Sequence, residues 1–436
     1  MLLPLLIATA SSLPAPADTL LVNLLGEELD RPTYVAAAEP APLPAPATVS
    51  DRLPYSINVS TPIPGSLSPG MPDHEVVYPT DAGFTWNELD RALATVESEV
   101  YRGAFPGAAV AVGRWGTPVL ERGIGTHDWF LGSPPVHPDY TIYDLASLTK
   151  VVATTTAVML LVEDGVMDLE ATVSTYLPAF SGGQKDWVKV RHLLTHSSGL
   201  PAGARIAADT PAESLQRAIA TPLVALPGSR TVYSDIGFIV LWAAAEAAYG
   251  GSLEDLLRER VYEPLGMHYT RFRPGPGCIR CAPTDERDGY RGVVHDPLAR
   301  QLGGVAGHAG LFSTVHDLSR FAAMLVNGGE LDGVRIFQPE TIARFTERQF
   351  GTDTRALGWD TPDELGRGAA GLRISRGAFG HTGFTGTSLW VDPDRGTWAV
   401  LLSNRTYQPR ARNRIQEVRR ELNDLVAVSV DRAADR

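Results

Sequence analysis

Strand-like alternation appears in this chain only near its two ends, with a long helix-rich stretch between. Gly107 to Gly113 and Val119 to Gly123 read as short strands joined by a turn at Arg114-Trp115-Gly116-Thr117. Matching patterns return only at Thr387 to Val391 and Thr397 to Ser403, around Asp392-Pro393-Asp394-Arg395-Gly396, a run with hairpin-turn chemistry. An isolated hairpin is marginal in water and its backbone groups need partners. Two hairpins from opposite ends therefore predict one antiparallel sheet that closes the chain on itself. Helical patterns flank it, at Trp86 to about Tyr101 and at about Asn413 to Val426. The middle, from Ser147 to roughly Met267, is largely helical and includes Asp235 to Tyr249 and Leu253 to Val261. Gly- and Pro-rich loops occupy 274–310, and one more helix runs from Val315 to Asn327. The expected fold class is α+β: an antiparallel β-sheet flanked by N- and C-terminal helices, with an inserted, mostly helical subdomain. The α/β part takes about 76–145 and 370–436 and the helical part about 146–369. The cleft between two such parts is the usual place for a ligand.

Size and composition are those of a soluble globular protein. The chain has 436 residues, 44% hydrophobic and 20% charged, enough for a large core in one domain or two subdomains. A formal charge of −12 without any basic tract points away from nucleic acid and from anionic membrane surfaces, and toward a small-molecule or peptide partner. No run is read as a membrane span, which needs about 18–20 apolar residues. Met1 to Ala10 is apolar and Ala8-Thr9-Ala10 resembles a cleavage site, but no basic residue precedes them. From Pro32 to Pro79 lie 11 of the 33 prolines, the pattern of an extended linker. Residues 1–75 are thus expected to hold a weak signal segment and a Pro-rich linker, and 76–436 the globular domain. An extracytoplasmic (periplasmic or secreted) location is the first reading and the cytoplasm the alternative; oligomeric state has no signature here. Cys278 and Cys281 are the only cysteines, in a loop bracketed by prolines, and His295 and His308 are too widely spaced to complete a zinc finger. A local disulfide or two idle thiols is expected, with no metal and no organic cofactor.

Lysine occurs only at Lys150, Lys185 and Lys189, and arginine supplies the rest of the positive charge. Lys150 follows a serine in Ser147-Leu148-Thr149-Lys150, and on a helix positions three apart share a face. Arginine cannot act there as a base, whereas a buried ammonium can give up its proton. The pair makes a nucleophile beside a base. Leu148, Val151, Val152, Thr155, Val158, Met159 and Val162 form a helical stripe with Gly165 as a stop, which puts Ser147 in a first turn rich in free N–H groups. Four letters alone also fit a capped helix with a solvated lysine, so partners must decide.

Two patterns supply them: Tyr233-Ser234-Asp235 and His381-Thr382-Gly383. Tyr233 can relay a proton to a leaving group. Gly383, expected just before a strand, lets substrate approach the backbone, and the N–H groups of Ser147 and Phe384 can receive an oxyanion. With these motifs in this order, the chain resembles the serine β-lactamase and penicillin-binding-protein superfamily, in its class C-like branch. Leu193 to Pro201 and Gly303 to Phe312 look like the family too, and the resemblance spans about 80–425. It implies acyl transfer through a Ser147 acyl-enzyme with Lys150 and Tyr233 as catalytic partners, and Asp235, His381, Thr382, Gly383 and Phe384 contacting substrate. An esterase or a D-alanyl-D-alanine carboxypeptidase is implied first, a weak β-lactamase or a penicillin-acylated sensor second. Two positions depart from the family pattern. Asp235 stands where asparagine is usual and, if ionised, keeps Lys150 charged. His381 stands where β-lactamases carry a lysine and keeps a donor but loses a charge. His196 and His308 are read as structural turn residues. G-x-S-x-G is absent from the sequence, which argues against an α/β-hydrolase.

Overall fold

The two terminal hairpins meet in one sheet. The structure, a computed structural model, describes residues 77–285, 290–350 and 353–434. The expected signal segment and linker lie outside the described residues. The strands are β1 (Gly107–Arg114), β2 (Thr117–Gly125), β3 (Tyr143–Asp144), β4 (Arg271–Phe272), β5 (Leu311–Ser313), β6 (Glu330–Leu331), β7 (Val334–Arg335), β8 (Phe379–Thr382), β9 (Ser388–Asp392) and β10 (Thr397–Ser403). The main sheet has the order β2-β1-β10-β9-β8, antiparallel throughout, with Ala108 opposite Ser403 and His381 opposite Leu389. The expected α+β architecture is present.

Alternation along the central strands builds two cores. Ala108, Val110, Val112, Ala399 and Leu401 face the terminal helices Trp86–Tyr101 and Ile415–Ala434, meeting Leu89, Ala92 and Val96 from one and Val418, Leu422 and Val426 from the other. Ala109, Ala111, Val400 and Leu402 face the opposite way, into a larger core shared with the helical region. Each fully buried Leu or Val contributes roughly 1.5–3 kcal/mol, so these faces fix the register.

Four details differ from the sequence reading. His381 and Thr382 lie on a strand of their own, β8, rather than before one; its four residues are too few to show alternation, and they are held by β9 and by reciprocal bonds between Gly380 and Asp360. The helix after Ser147 is not uniform: a 3₁₀ turn (Ala146–Leu148) passes into a wide π turn (Lys150–Thr155) before α-helix Thr156–Glu163. There the Thr156 hydroxyl donates to Val151 O five residues back and the Thr154 hydroxyl to Gly307 O, which suits a widened turn. Ala146–Glu163 is, by length and composition alone, apolar enough to cross a membrane, but 83% of it is buried inside the protein, so it is a core segment. Finally, the closing helix runs on to Ala434. Cys278 and Cys281 are joined as a disulfide.

Candidate active site

Ser147 emerges from β3 through Leu145 and Ala146. Ala146 takes φ +47°, a left-handed conformation unusual for a side chain with a Cβ, and its N–H donates to Asp144 Oδ1 at 2.8 Å. This bend sets Ser147, half-buried, at the head of the helix that carries Lys150.

Lys150 is wholly buried and all three of its protons are used. Nζ donates to Ser147 Oγ at 3.1 Å, to Asp235 Oδ1 at 2.7 Å and to the His308 carbonyl at 3.2 Å. Burial works to lower its pKa, but attraction to Tyr233 and Asp235 outweighs burial and the net direction is up. Asp235 opens the helix Asp235–Tyr249, whose N-terminal dipole favours its carboxylate. Lys150 is therefore a held cation whose nitrogen has no lone pair to offer. The linked stability is present below the ordinary lysine pKa and is lost as pH rises through the raised folded value. If the reaction needs this cation, Asp235→Asn shifts the alkaline limb of the activity profile to lower pH. An unmoved limb in that variant refutes the link.

Tyr233 lies in a box of rings and cations. His196 lies tilted against it at 4.4 Å between centroids and His381 stacks on it at 6.0 Å, while Lys150 Nζ is 4.8 Å and the Arg355 guanidinium carbon 5.3 Å from its ring centre. The segment Leu193 to Ala202 carries this tyrosine into place. His196 Nδ1 accepts the Ser234 N–H at 3.0 Å, its carbonyl accepts the Val232 N–H, and Ala202 O accepts the Asp235 N–H. Burial, with Arg355 and Lys150 nearby, holds the His196 pKa well below the ordinary value, so its ring is neutral. His196 is a turn residue as expected, with φ +55°, and also one wall of the tyrosine site. His308 is buried as well, its ring paired with Asp296 at 2.7 Å, so it is no part of an open pocket wall.

The third motif forms the facing edge. Burial first, then the positive charges of Lys150 and Arg355, push the His381 pKa well below normal. Its Nδ1 lies 2.8 Å from Thr382 O, which can only accept, so the single proton of the neutral ring is spent there. The sequence reading left His381 a donor for substrate; the structure takes that donor away. Gly383 is needed for a different reason than expected: a Cβ would lie 2.4 Å from Leu145 O and 2.0 Å from Thr387 Oγ1, so the protein's own nucleophile turn makes the close approach. Thr385 and Thr387 hydroxyls donate to Asp144 O and Leu145 O, and buried Arg419 donates to Gly383 O and Thr387 O at 2.7 and 2.8 Å. Backbone pairing among the described residues leaves the Ser147 and Phe384 N–H groups free.

Ser147, Lys150, Tyr233, Asp235, His381, Thr382 and Gly383 are thus linked through these contacts. Sequence reasoning missed Arg355, Arg419 and Asp144, none of which belongs to a motif. Elsewhere, Glu121, Asp139 and His316 bring three ligand atoms within 4.8 Å of one another, and the His316–Glu121 ion pair at 2.9 Å accounts for the grouping.

Residues 92–423 match the family model described as Beta-lactamase. The chain belongs to the β-lactamase family. A protein of Salmonella schwarzengrund provisionally named D-alanyl-D-alanine carboxypeptidase is 30% identical over 377 residues, covering 77% of this chain and 87% of its own. Two solved structures share the fold. A penicillin-binding-protein homologue from Caulobacter crescentus aligns with a TM-score of 0.64 at 22% identity, over 80% of this chain and 99% of its own. EstCE1, a hydrolase with promiscuous acyltransferase activity, aligns with a TM-score of 0.63 at 24% identity, over 78% and 99%. At these identities the structures bear on fold alone.

Proposed function

We propose that this β-lactamase-family hydrolase is a serine hydrolase that forms an acyl-enzyme on Ser147 and cleaves a D-amino-acid amide or an ester. The observation that carries the reading is the contact set of Lys150 Nζ, which ties Ser147 to Asp235 beneath the Tyr233 ring. With Lys150 held charged, Tyr233 takes the proton of Ser147 as its oxygen attacks the carbonyl carbon. Tyr233 does so as the phenolate, whose charge the two nearby cations offset until the proton arrives and leaves a neutral phenol. The Ser147 and Phe384 N–H groups receive the oxyanion. Tyr233 then hands its proton to the leaving amine or alcohol, and water attacks the acyl-enzyme by the reverse path.

Arg355 favours a substrate that bears a carboxylate. Its Nε is buried without a partner, its Nη1 meets Asp360 only at 3.7 Å, and His381 brings no charge. A free D-peptide end fits this cation and Thr382 better than a plain ester does. The named Salmonella relative supports the same substrate class. We place the protein outside the cytoplasm on the same grounds, with cell fractionation as the check. A D-Ala-D-Ala peptide, a short nitrophenyl ester and a chromogenic cephalosporin, compared by kcat/KM, test the reading: the peptide or the ester should lead. A leading cephalosporin makes the protein a β-lactamase, and a burst without turnover makes it a sensor. Arg355→Gln should lower the peptide value about 10–100-fold, as loss of a hydrogen bond to a charge does, and the ester value less. Equal losses on both remove Arg355 from carboxylate recognition.

A further inference from the structure

Asp144 takes no part in the chemistry above, yet its side chain and carbonyl together contact the serine turn, the loop carrying His295 and the oxyanion loop. It is 1% exposed. Oδ1 accepts the N–H of Ala146, the left-handed residue before the nucleophile, at 2.8 Å, and Oδ2 accepts the His295 N–H at 2.6 Å. Its carbonyl accepts the Thr385 hydroxyl at 2.7 Å, from the turn that presents the Phe384 N–H. The segment it grips through His295 continues into Asp296, whose carboxylate holds His308, whose carbonyl receives Lys150. The carboxylate thus binds the serine turn directly and reaches the lysine seat through His295, Asp296 and His308, while the backbone carbonyl of the same residue holds the oxyanion loop.

Among the described residues the carboxylate has no ion-pair partner. Arg300, whose positive charge acts on it, spends Nη1 on the Val294 and His295 carbonyls, and Asp296 adds like charge. A charge buried without an ion-pair partner is costly, and a well-packed apolar residue would be the more stable choice there. Asparagine fits the volume but not the bonding, because one of the two N–H donors would then face an NH₂.

We propose that the Asp144 carboxylate is the positioning group that holds the Ser147 turn against the loop carrying His295, so that protonation of this one buried carboxyl switches acylation off under mildly acidic conditions. The proposal rests on Ser147 being the acylated residue. Protonation turns one acceptor oxygen into a donor facing an N–H, which frees either the Ala146 or the His295 bond. Burial is the main cause that raises this carboxyl, to about 6, with Asp296 adding to it and the two N–H bonds and Arg300 opposing it. His295, Asp296 and Arg300 come from the loop packed against it and its short helix; Lys150 and His308 lie across the serine turn. The stability sign is opposite to that of ordinary acid loss. The folded pKa is raised, so between the unfolded value and about 6 the folded state holds the extra proton, and through this group stability rises as pH falls. Activity and stability should therefore part company.

The test is the rate of covalent labelling of Ser147 by a fluorophosphonate probe, from about pH 5 to about pH 8, with melting temperatures alongside, in wild type and Asp144→Asn. Wild-type labelling should fall about tenfold per pH unit below the step near 6, without a matching fall in melting temperature. The variant should label on the order of 10–100-fold more slowly at the alkaline end and show no step. A variant that keeps both the wild-type rate and the step overturns the proposal. If the variant does not fold, wild type still decides: labelling and melting temperature falling together below the step overturn it. Failure of wild type to label at Ser147 at any pH overturns instead the serine reading on which it rests.

Discussion

Replacing Ser147 with alanine should abolish covalent labelling and lower turnover by on the order of 10⁴-fold or more, since removing the nucleophile of an acyl-enzyme leaves only binding and oxyanion stabilisation. The expected loss is large because, among the described residues, Ser147 Oγ is the hydroxyl oxygen that Lys150 Nζ holds, at 3.1 Å. The fold should survive. Ser147 is half-buried, alanine removes a single atom, and Lys150 keeps Asp235 and the His308 carbonyl as acceptors. An unchanged melting temperature with turnover lost, measured on the preferred substrate of the three-compound panel, meets this expectation. Full residual turnover in Ser147→Ala refutes the assignment outright and sends the search to another nucleophile.

Much of this site is legible in the sequence because its residues come in short motifs whose spacing reflects local geometry. Ser147 and Lys150 are three apart on one helical segment, and Tyr233 and Asp235 flank the N-cap Ser234 that begins the next helix. The hairpin β9–β10 is legible for the same reason, since its turn residues Asp392 to Gly396 lie between alternating strands. Arg355 carries no such signal. Its place over Tyr233 depends on a loop folding back from more than a hundred residues away, and one arginine among so many has no pattern. Arg419 does leave a trace, as a charge on the apolar stripe of Ile415, Val418, Leu422 and Val426, but its acceptors on the 383–387 loop are set by the fold. Strand β8 escapes because pairing with β9 and Asp360, rather than its own composition, makes it a strand. The role of Gly383 is misread from sequence on the same principle: what approaches it is Leu145, remote in the chain.

Tyr233→Phe and Lys150→Met should separate the proton carrier from the cation that seats it. Removing the phenol oxygen should lower kcat by on the order of 10²–10⁴-fold, the usual worth of a positioned acid–base group. Stability should fall less than in Lys150→Met, because the ring contacts with His196, His381 and Arg355 do not use that oxygen and only its bond to Lys150 is lost. Lys150→Met should lose activity to a similar extent and destabilise the fold as well, by about 3 kcal/mol, since breaking a buried pair leaves its partner uncompensated. Asp235 is the partner left behind, with its side chain 30% exposed against 0% for Lys150, which puts the penalty at the low end for such pairs. The two variants therefore differ in stability although both lose rate. Tyr233→Phe within a few-fold of wild type, together with an unmoved alkaline limb in Asp235→Asn, returns the base role to Lys150. Loss of rate in both variants, with the smaller fall in melting temperature in Tyr233→Phe, leaves the tyrosine as the group that moves the proton and the lysine as the charge that holds Ser147 and Asp235 in place.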